Sequence, residues 1–151
     1  MELSGDLKKK LFRNTLKQGS VFWMRGNKPF RSDTYHMFVV LNYEPKTGDA
    51  LILVNGTSQV DKQLEYLRRT RVDVEATTLI LEAGAYDFIA KRTLFNCNSV
   101  KEIKINSIPA NGDMRFIGGE LSEEDVTRLI RAVMASRNVL IRHKLMLSGE
   151  E

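Results

Sequence analysis

The chain has 151 residues, 42% of them hydrophobic and 28% charged, which is the size and composition of one globular domain with its own core. One cysteine excludes an internal disulfide and a cysteine-based metal cluster, and the two histidines have no carboxylates at ligand spacing. No apolar run approaches the ~20 residues of a membrane span, and the first ten residues do not form the apolar segment of a signal peptide. We therefore expect a protein of the reducing cytoplasm that has no metal ion or cofactor and does not associate with a membrane. Its net charge of +4 permits an acidic partner such as nucleic acid.

The first third of the chain predicts a short helix followed by three strands. Apolar residues in 4–17 recur with helical spacing, and Gln18-Gly19 ends this segment. The second strand is apolar on both faces, as in a central strand that is covered on each side. Runs rich in Val, Leu, Ile and aromatic residues place the strands at 20–25, 35–42 and 50–55.

The second and third strands are joined by a turn signal and are expected to form a hairpin. Pro45 and Gly48 lie between the two apolar runs. In an antiparallel pair the start of one strand faces the end of its partner. His36 near the start of the second strand would therefore lie beside Thr57 and Ser58 at the end of the third. The hairpin is expected to bring an imidazole and two hydroxyl groups together.

The rest of the chain predicts one interior helix, several short strands and a well-marked final helix. Ser122 begins this final helix as its N-cap, and an apolar stripe from Val126 to Met134 is expected to pack on the sheet. The apolar segment 139–147 is open to three interpretations: a continuing helix, a last strand or a dimer contact. The other segments are a helix at 59–71, an extended piece at 72–76, strands at 77–81, 93–95 and 99–105, and a loop at 107–119.

Together these elements predict an α+β domain built on a strongly bent antiparallel sheet of five to seven short strands. Short strands with glycine breaks favour a small barrel over an open sheet. Cys97 is expected to be a small packed residue and not a nucleophile, because no base lies beside it in sequence. Arg68 and Arg69 follow Tyr66 as a basic cluster that either contacts phosphate and a base or belongs to a solvated helix. The loop 26–34 is either a flap over a binding surface or a plain polar connection.

Five segments in this order resemble the PemK/MazF-type toxins of bacterial toxin–antitoxin systems. The resemblance covers residues 19 to about 139. It implies a small SH3-like antiparallel β-barrel with a C-terminal amphipathic helix, which we place over 19–147. From the residues themselves we expect further short helices, a helical extension at 1–18 and a disordered tail at 148–151. The segments are GlySerValPheTrp (19–23), HisMetPheValValLeuAsn (36–42), LeuValAsnGlyThrSer (53–58), GluAlaGlyAlaTyrAspPheIle (82–89) and LeuSerGluGluAsp (121–125).

The resemblance implies a metal-independent endoribonuclease that cleaves single-stranded RNA by attack of the ribose 2′-hydroxyl on the adjacent phosphate. Thr57 and Ser58 match the hydroxyl motif of the family. His36 and Met37 stand where the family has Arg and Pro, and a histidine can act as general acid or base near neutral pH but does not hold phosphate as Arg does. We therefore expect Arg31, from the preceding loop, to supply the phosphate clamp.

The same resemblance implies partners and leaves two other functions open. The implied partners are single-stranded RNA, an acidic antitoxin and a second copy of the chain. One alternative is a catalytically inert module of the same fold that binds nucleic acid or a protein. A gyrase-poisoning relative is disfavoured because Trp23 is the only tryptophan and does not lie in a C-terminal tail. The residues expected along the RNA path are Lys28, Arg68, Arg69, Lys91 and Arg92.

Overall fold

A computed structural model describes residues 14–26, 32–47, 50–104 and 114–149 of the chain. Of the helix predicted at 4–17, residues 4–13 lie outside this part, and Asn14 and Thr15 are helical. The strands are β1 (Ser20–Gly26), β2 (Ser32–Val40), β3 (Ala50–Thr57), β4 (Thr78–Leu81), β5 (Thr93–Asn96), β6 (Lys101–Lys104) and β7 (Met114–Glu120). The helices are α1 (Val60–Arg68), α2 (Val74–Thr77), α3 (Glu123–Ala135) and α4 (Ile141–Ser148).

The seven strands of the described residues belong to one antiparallel sheet. Six of them follow the order β4-β5-β3-β2-β1-β7, and β6 lies off this path and pairs with β3. Strand β3 pairs with β2 along one side and with two short strands along the other. Of these, β5 pairs with the Thr57 end of β3 and β6 with the Ala50 end. The described residues form no pairing between the outer strands β4 and β7, so the sheet is a curled half-barrel. The chain is thus an α+β protein, as the sequence predicts.

The central strands are buried on both faces, which confirms the prediction for the second strand. Because side chains alternate along a strand, β2 sends Met37 and Val39 into one apolar cluster and Phe38 and Val40 into another. Strand β3 divides its side chains between the same two clusters. The sheet therefore separates two apolar layers, and its central strands have little freedom to slip in register.

Helix α3 covers the face of the sheet that carries Val39. Ser122 is its N-cap, with Oγ accepting a hydrogen bond from Asp125 N at 3.2 Å, as the sequence predicts. Leu129 and Val133 are fully buried in the cluster that contains Val39. Local capping and apolar spacing agree with the tertiary contact at this helix, so both its start and its buried face were predictable.

Two predictions from the second half of the chain are wrong. The extended piece expected at 72–76 includes the start of the one-turn helix α2, because Asp73 Oδ1 accepts a hydrogen bond from Ala76 N at 3.1 Å and caps the turn. Of the loop expected at 107–119, residues 107–113 lie outside the described part, and residues 114–119 belong to β7, which pairs with β1 across about ninety residues of sequence; no local pattern encodes that pairing.

Most of the segment 139–147 belongs to a separate helix, α4, which follows a turn, so the segment is neither a continuation of α3 nor a last strand; its role as a dimer contact stays a prediction. Lys144 Nζ donates to the carbonyl oxygens of Met134 at 3.1 Å and Ser136 at 2.6 Å, which ties α4 to the end of α3. Glu102 Oε1 on β6 lies 3.2 Å from Arg142 Nη1 and 3.3 Å from Nε2 of the buried His143. Three apolar side chains of this region are exposed: Leu140, Ile141 and Leu145.

The longest helix within the described ranges, α3, has 13 residues. No helix in those ranges combines the length and the apolar character that crossing a bilayer requires.

Candidate functional site

The pairing of β2 with β3 determines where the predicted site residues lie. Met37 is opposite Gly56 in this pairing, so the next position places His36 beside Thr57. On its other side His36 is opposite Met24 of β1. His36 therefore lies within a strand that is paired on both sides, and not at the strand start expected from the sequence, because β2 begins at Ser32. The hairpin nevertheless brings the imidazole to the hydroxyl groups.

These residues line an open cleft of about 540 Å³ at one end of the sheet. His36 and Thr57 are half-buried, and Ser58 is exposed. The side chains are therefore both anchored by the sheet and accessible from solvent. Among the described residues, the lining comprises Trp23 from β1, His36 and Met37 from β2, Gly56 and Thr57 from β3, Ser58 and Gln59 before α1, Phe88, Ala90 and Lys91 from the segment before β5, and Thr93.

Gly56 allows side chains from β2 and β5 to meet across β3. A Cβ atom at this position would lie 2.7 Å from Thr93 Cγ2 and 2.9 Å from both Met37 Cε and Phe95 Cε1. Such distances are shorter than carbon atoms tolerate, so any side chain here would push the neighbouring strands apart. The glycine of the GlyThrSer motif therefore has a packing role next to the hydroxyl groups of the cleft.

The hydroxyl group of Thr57 has a defined hydrogen-bond role. Gln59 N donates to Thr57 Oγ1 at 3.1 Å, which uses an acceptor position of the oxygen and leaves its proton available to a ligand. Gln59 is the N-cap of α1, and its side chain makes no capping hydrogen bond. The first N–H groups of α1 thus lie next to the cleft, where they add partial positive charge that Asp61 in the first turn partly offsets.

Residues 82–92 form one wall of the cleft without regular secondary structure. Ile89 is buried in the core, and its carbonyl oxygen accepts a hydrogen bond from Gly84 N at 2.8 Å. Thr93 Oγ1 donates to the carbonyl oxygen of Lys91 at 2.8 Å, which fixes the backbone that carries the Lys91 side chain. The Lys91 side chain itself is exposed. The wall is held by specific contacts and presents a cation to the cleft.

Tyr86 connects this wall to the N-terminus of α3. Its hydroxyl group donates to Asp125 Oδ2 at 2.5 Å and accepts from Ser122 N at 2.9 Å. Its ring stacks on Phe88, with centroids 5.1 Å apart and an interplanar angle of 23°. Phe88, which lines the cleft, is therefore held through Tyr86 by the cap of the α3 helix.

No family model matches the chain, and no curated protein is significantly similar to it. The functions that the PemK/MazF resemblance implies for this chain therefore depend on the chemistry of the cleft.

The residues predicted to line the RNA path do not all lie in the cleft. Lys91 is part of its lining, whereas Arg92 Nε lies 3.1 Å from Glu82 Oε1 and Arg69 Nη2 lies 2.6 Å from Glu65 Oε1. Arg68 is exposed in the last turn of α1. Because α1 begins beside the cleft and a helix rises 1.5 Å per residue, Arg68 lies about 12 Å from the cleft along the helix axis. The cleft thus brings together four predicted residues: His36, Thr57, Ser58 and Lys91.

Two predicted residues, Lys28 and Arg31, lie outside the described part of the chain. In the described part, no group of three or more His, Cys, Asp or Glu side chains could hold a metal ion. Cys97 is buried, and burial raises the pKa of its thiol from 9.0 to about 12, so it remains a neutral packed group as predicted.

Two aromatic residues of the cleft were not among the predicted site residues. Trp23 was assigned to the first strand, and Phe88 was assigned to no helix or strand. Their exposure to a common cleft depends on the pairing of β1 with β2 and on the path of residues 82–92. The one sequence signal was that Phe88 lies within the segment 82–89, which resembles the PemK/MazF-type toxins.

Proposed function

We propose that this protein is a metal-independent endoribonuclease that cleaves single-stranded RNA in the cleft. The observation that carries the proposal is the convergence of His36, Thr57, Ser58 and Lys91 on one open cleft. An imidazole, two hydroxyl groups and an ammonium group are the group types that RNA cleavage by internal attack requires. The substrate supplies the nucleophile, so neither a metal ion nor a protein nucleophile is needed.

The proposed reaction has balanced proton transfers. His36 takes the proton from the ribose 2′-hydroxyl, and the 2′-oxygen attacks the adjacent phosphorus. The bond from phosphorus to the 5′-oxygen then breaks, and this oxygen takes a proton from water, which the open cleft admits. The products are a 2′,3′-cyclic phosphate and a free 5′-hydroxyl group, and His36 returns its proton to solvent.

The remaining groups of the cleft would stabilise the charge on the five-coordinate phosphate. Lys91 carries a positive charge, and the Thr57 hydroxyl has a proton that no described protein acceptor takes. Ser58 and the first N–H groups of α1 add hydrogen-bond donors. Donors that are held in place before the reaction stabilise developing charge better than mobile water does. Lys91 would thus take the role that the sequence assigned to Arg31.

The PemK/MazF resemblance supports the same activity and extends the proposal. The curled antiparallel sheet with a covering C-terminal helix is compatible with an SH3-like barrel of that family. Under this proposal the protein acts in the cytoplasm as a homodimer that an acidic antitoxin restrains.

A binding module without catalysis is the second candidate function. The replacement of the arginine of the family by His36 removes a bidentate phosphate contact. Ile141 is 75% exposed and Leu145 is 47% exposed, so α4 presents apolar surface that would suit a protein partner. This candidate predicts salt-dependent binding of RNA, or binding of a protein, without cleavage products.

Cleavage of a mixed single-stranded RNA in the presence of EDTA tests the proposal. We expect wild-type cleavage to yield cyclic phosphate ends and His36→Ala to reduce the rate by about 10²- to 10⁴-fold, the usual contribution of a general base. Lys91→Ala should also slow cleavage. Lys104→Ala is the matched control, because Lys104 pairs with Ala50 at the opposite end of β3.

Each outcome has a defined consequence. If His36→Ala cleaves at the wild-type rate while remaining folded by circular dichroism, His36 has no part in the reaction. If the wild-type protein gives no products in EDTA, the nuclease proposal is wrong. Binding of RNA without products would then favour the second candidate.

A further inference from the structure

The two aromatic side chains of the cleft have no role in the proposed proton transfers. Trp23 and Phe88 are both half-buried, and both line the cavity that contains His36 and Thr57. Apolar surface that is rimmed by polar groups and open to solvent often marks a ligand-binding groove. These rings pack against the core and also offer a flat apolar face to a ligand in the cleft.

Phe88 is held in a fixed position. One face of its ring stacks on Tyr86, the ring also packs against the core, and the part that remains accessible lines the cleft. Tyr86 is in turn held by Asp125 and Ser122 at the start of α3. A ring that is already fixed loses little conformational entropy when a ligand stacks on it, which favours binding.

We infer that the cleft contains a nucleobase-stacking subsite in which Phe88 is the platform and Trp23 is the second aromatic wall. This inference rests on the proposed function, because the base is taken to belong to the RNA strand that is cleaved. The chemical class of the ligand is an unpaired nucleobase attached to its sugar phosphate. A base within a duplex has both faces covered by its neighbours, so the subsite selects single-stranded substrate.

The polar groups around the rings fit the edge and the phosphate of such a ligand. The side chain of Gln59 makes no cap hydrogen bond to α1, so its amide can donate to and accept from a base edge. Lys91 and Ser58 lie on the same cleft and are suited to the phosphate. The cleft volume of about 540 Å³ lies within the range of small-molecule sites.

The charge distribution favours base stacking over binding through phosphates alone. Lys91 is the one lysine or arginine among the described lining residues. Arg92 and Arg69 have carboxylate partners, so they contribute less to a continuous basic track. Binding that depends on phosphates alone needs several cations along the strand. With one cation among the described lining residues, base stacking is expected to supply a large share of the affinity.

Trp23 provides a direct measurement, because it is the only tryptophan in the chain and it lies in the cleft. Its fluorescence can be followed during titration with 2′-deoxy homotrinucleotides of each of the four bases, which have no nucleophile and are not cleaved. The same trinucleotides with an abasic central position keep the phosphates and lose one base. We expect at least one base-containing trinucleotide to quench Trp23 and to bind more tightly than its abasic form.

The Phe88 variants separate stacking from other contacts. Phe88→Leu should weaken binding of the base-containing trinucleotide by about fivefold to a hundredfold, which is the range for loss of one base–aromatic stack. The same substitution should leave binding of the abasic form unchanged. Phe88→Tyr keeps a ring and should restore the preference for the base. Tyr43→Leu is the matched control, because Tyr43 is 53% exposed and does not line the cleft.

The experiment distinguishes failure of this inference from failure of the proposed function. If the protein cleaves RNA but binds the abasic and base-containing forms equally, or if Phe88→Leu has no effect, the stacking subsite is refuted and the nuclease proposal stands. If Phe88-dependent binding occurs but no RNA is cleaved, the subsite stands and the nuclease proposal is wrong. If no trinucleotide quenches Trp23 at any concentration that its solubility allows, the subsite is refuted.

Discussion

Removal of the Tyr86 hydroxyl group tests whether the wall of the cleft is held by helix α3. Tyr86→Phe deletes one oxygen atom and keeps the ring that stacks on Phe88. The deleted oxygen donates to Asp125 Oδ2 at 2.5 Å and accepts from Ser122 N at 2.9 Å, and it also lies 3.1 Å from Ser122 Oγ. The variant therefore breaks both of these hydrogen bonds and the contact with Ser122 Oγ without creating a cavity larger than one oxygen atom.

The expected loss of stability follows from these two bonds. A hydrogen bond to a charged group contributes about 1.5–3 kcal/mol, and a neutral one about 1 kcal/mol. Two features reduce the loss. Arg128 Nη1 remains 2.9 Å from Asp125 Oδ1, so the carboxylate keeps a charged partner, and water can reach Ser122 N at the exposed helix end. We expect the free energy of unfolding to fall by about 1.5 kcal/mol. In a chain of this length that is a decrease in melting temperature of about 3–6 °C.

Thermal and urea unfolding of Tyr86→Phe measure this loss, with Tyr66→Phe as the matched control. Tyr66 is 60% exposed, so the same atom is removed from a surface position on α1. We expect Tyr66→Phe to stay within about 0.5 kcal/mol of wild type. If the two variants are equally stable, the hydrogen bonds of Tyr86 do not hold the wall. A double-mutant cycle with Asp125→Asn should give a coupling energy of about 1 kcal/mol or more if the 2.5 Å contact stabilises the fold.

Three further predictions concern the packing around the cleft and the sheet. Gly56→Ala should lower the free energy of unfolding by about 1–3 kcal/mol in urea titrations, because its Cβ would lie 2.7 Å from Thr93 Cγ2; an unchanged midpoint would contradict the close packing. Asn42→Ala should cost about 2–3 kcal/mol in the same assay, since Asn42 Oδ1 accepts from the buried Ile52 N at 2.6 Å and Asn42 Nδ2 donates to a carbonyl oxygen of β3. Cys97 should react with a thiol reagent only after unfolding. Burial raises the pKa of this thiol to about 12, so above pH 9 the thiol ionises in the unfolded chain but not in the folded protein. The free energy of unfolding should therefore fall as the pH rises above 9. Cys97→Ala should remove that part of the pH dependence.

The elements that the sequence predicted well are those whose signals are local. Helix α3 begins at Ser122 because a side-chain oxygen caps a nearby N–H group, and its buried stripe follows from helical periodicity. The strands β2 and β3 were recognised by continuous apolar runs around a turn, and their pairing follows from the shortness of the connection. For this reason the meeting of His36 with Thr57 and Ser58 was predictable without knowledge of the rest of the fold.

Where the prediction was wrong or incomplete, long-range contacts were decisive. Strand β7 exists because β1 offers it an edge, and its own glycine-rich sequence reads as a loop. Helix α2 was taken for an extended piece because the residues before β4 have strand composition, while one capping carboxylate is enough to close a single turn. The local sequence of β7 was compatible with a loop or a strand, and pairing with β1 selected the strand.

The sequence by itself determined the α+β class, the central hairpin and the placement of His36 beside Thr57 and Ser58 at one end of that hairpin, since each depends on residues that are close along the chain or on one short turn. Only the tertiary structure decided that Lys91 and the aromatic rings of Trp23 and Phe88 share this cleft. Their convergence requires β1 to lie on one side of β2 and residues 82–92 to cross the end of β3. Burial of two separate apolar layers imposes that arrangement, and no local pattern in the chain encodes it.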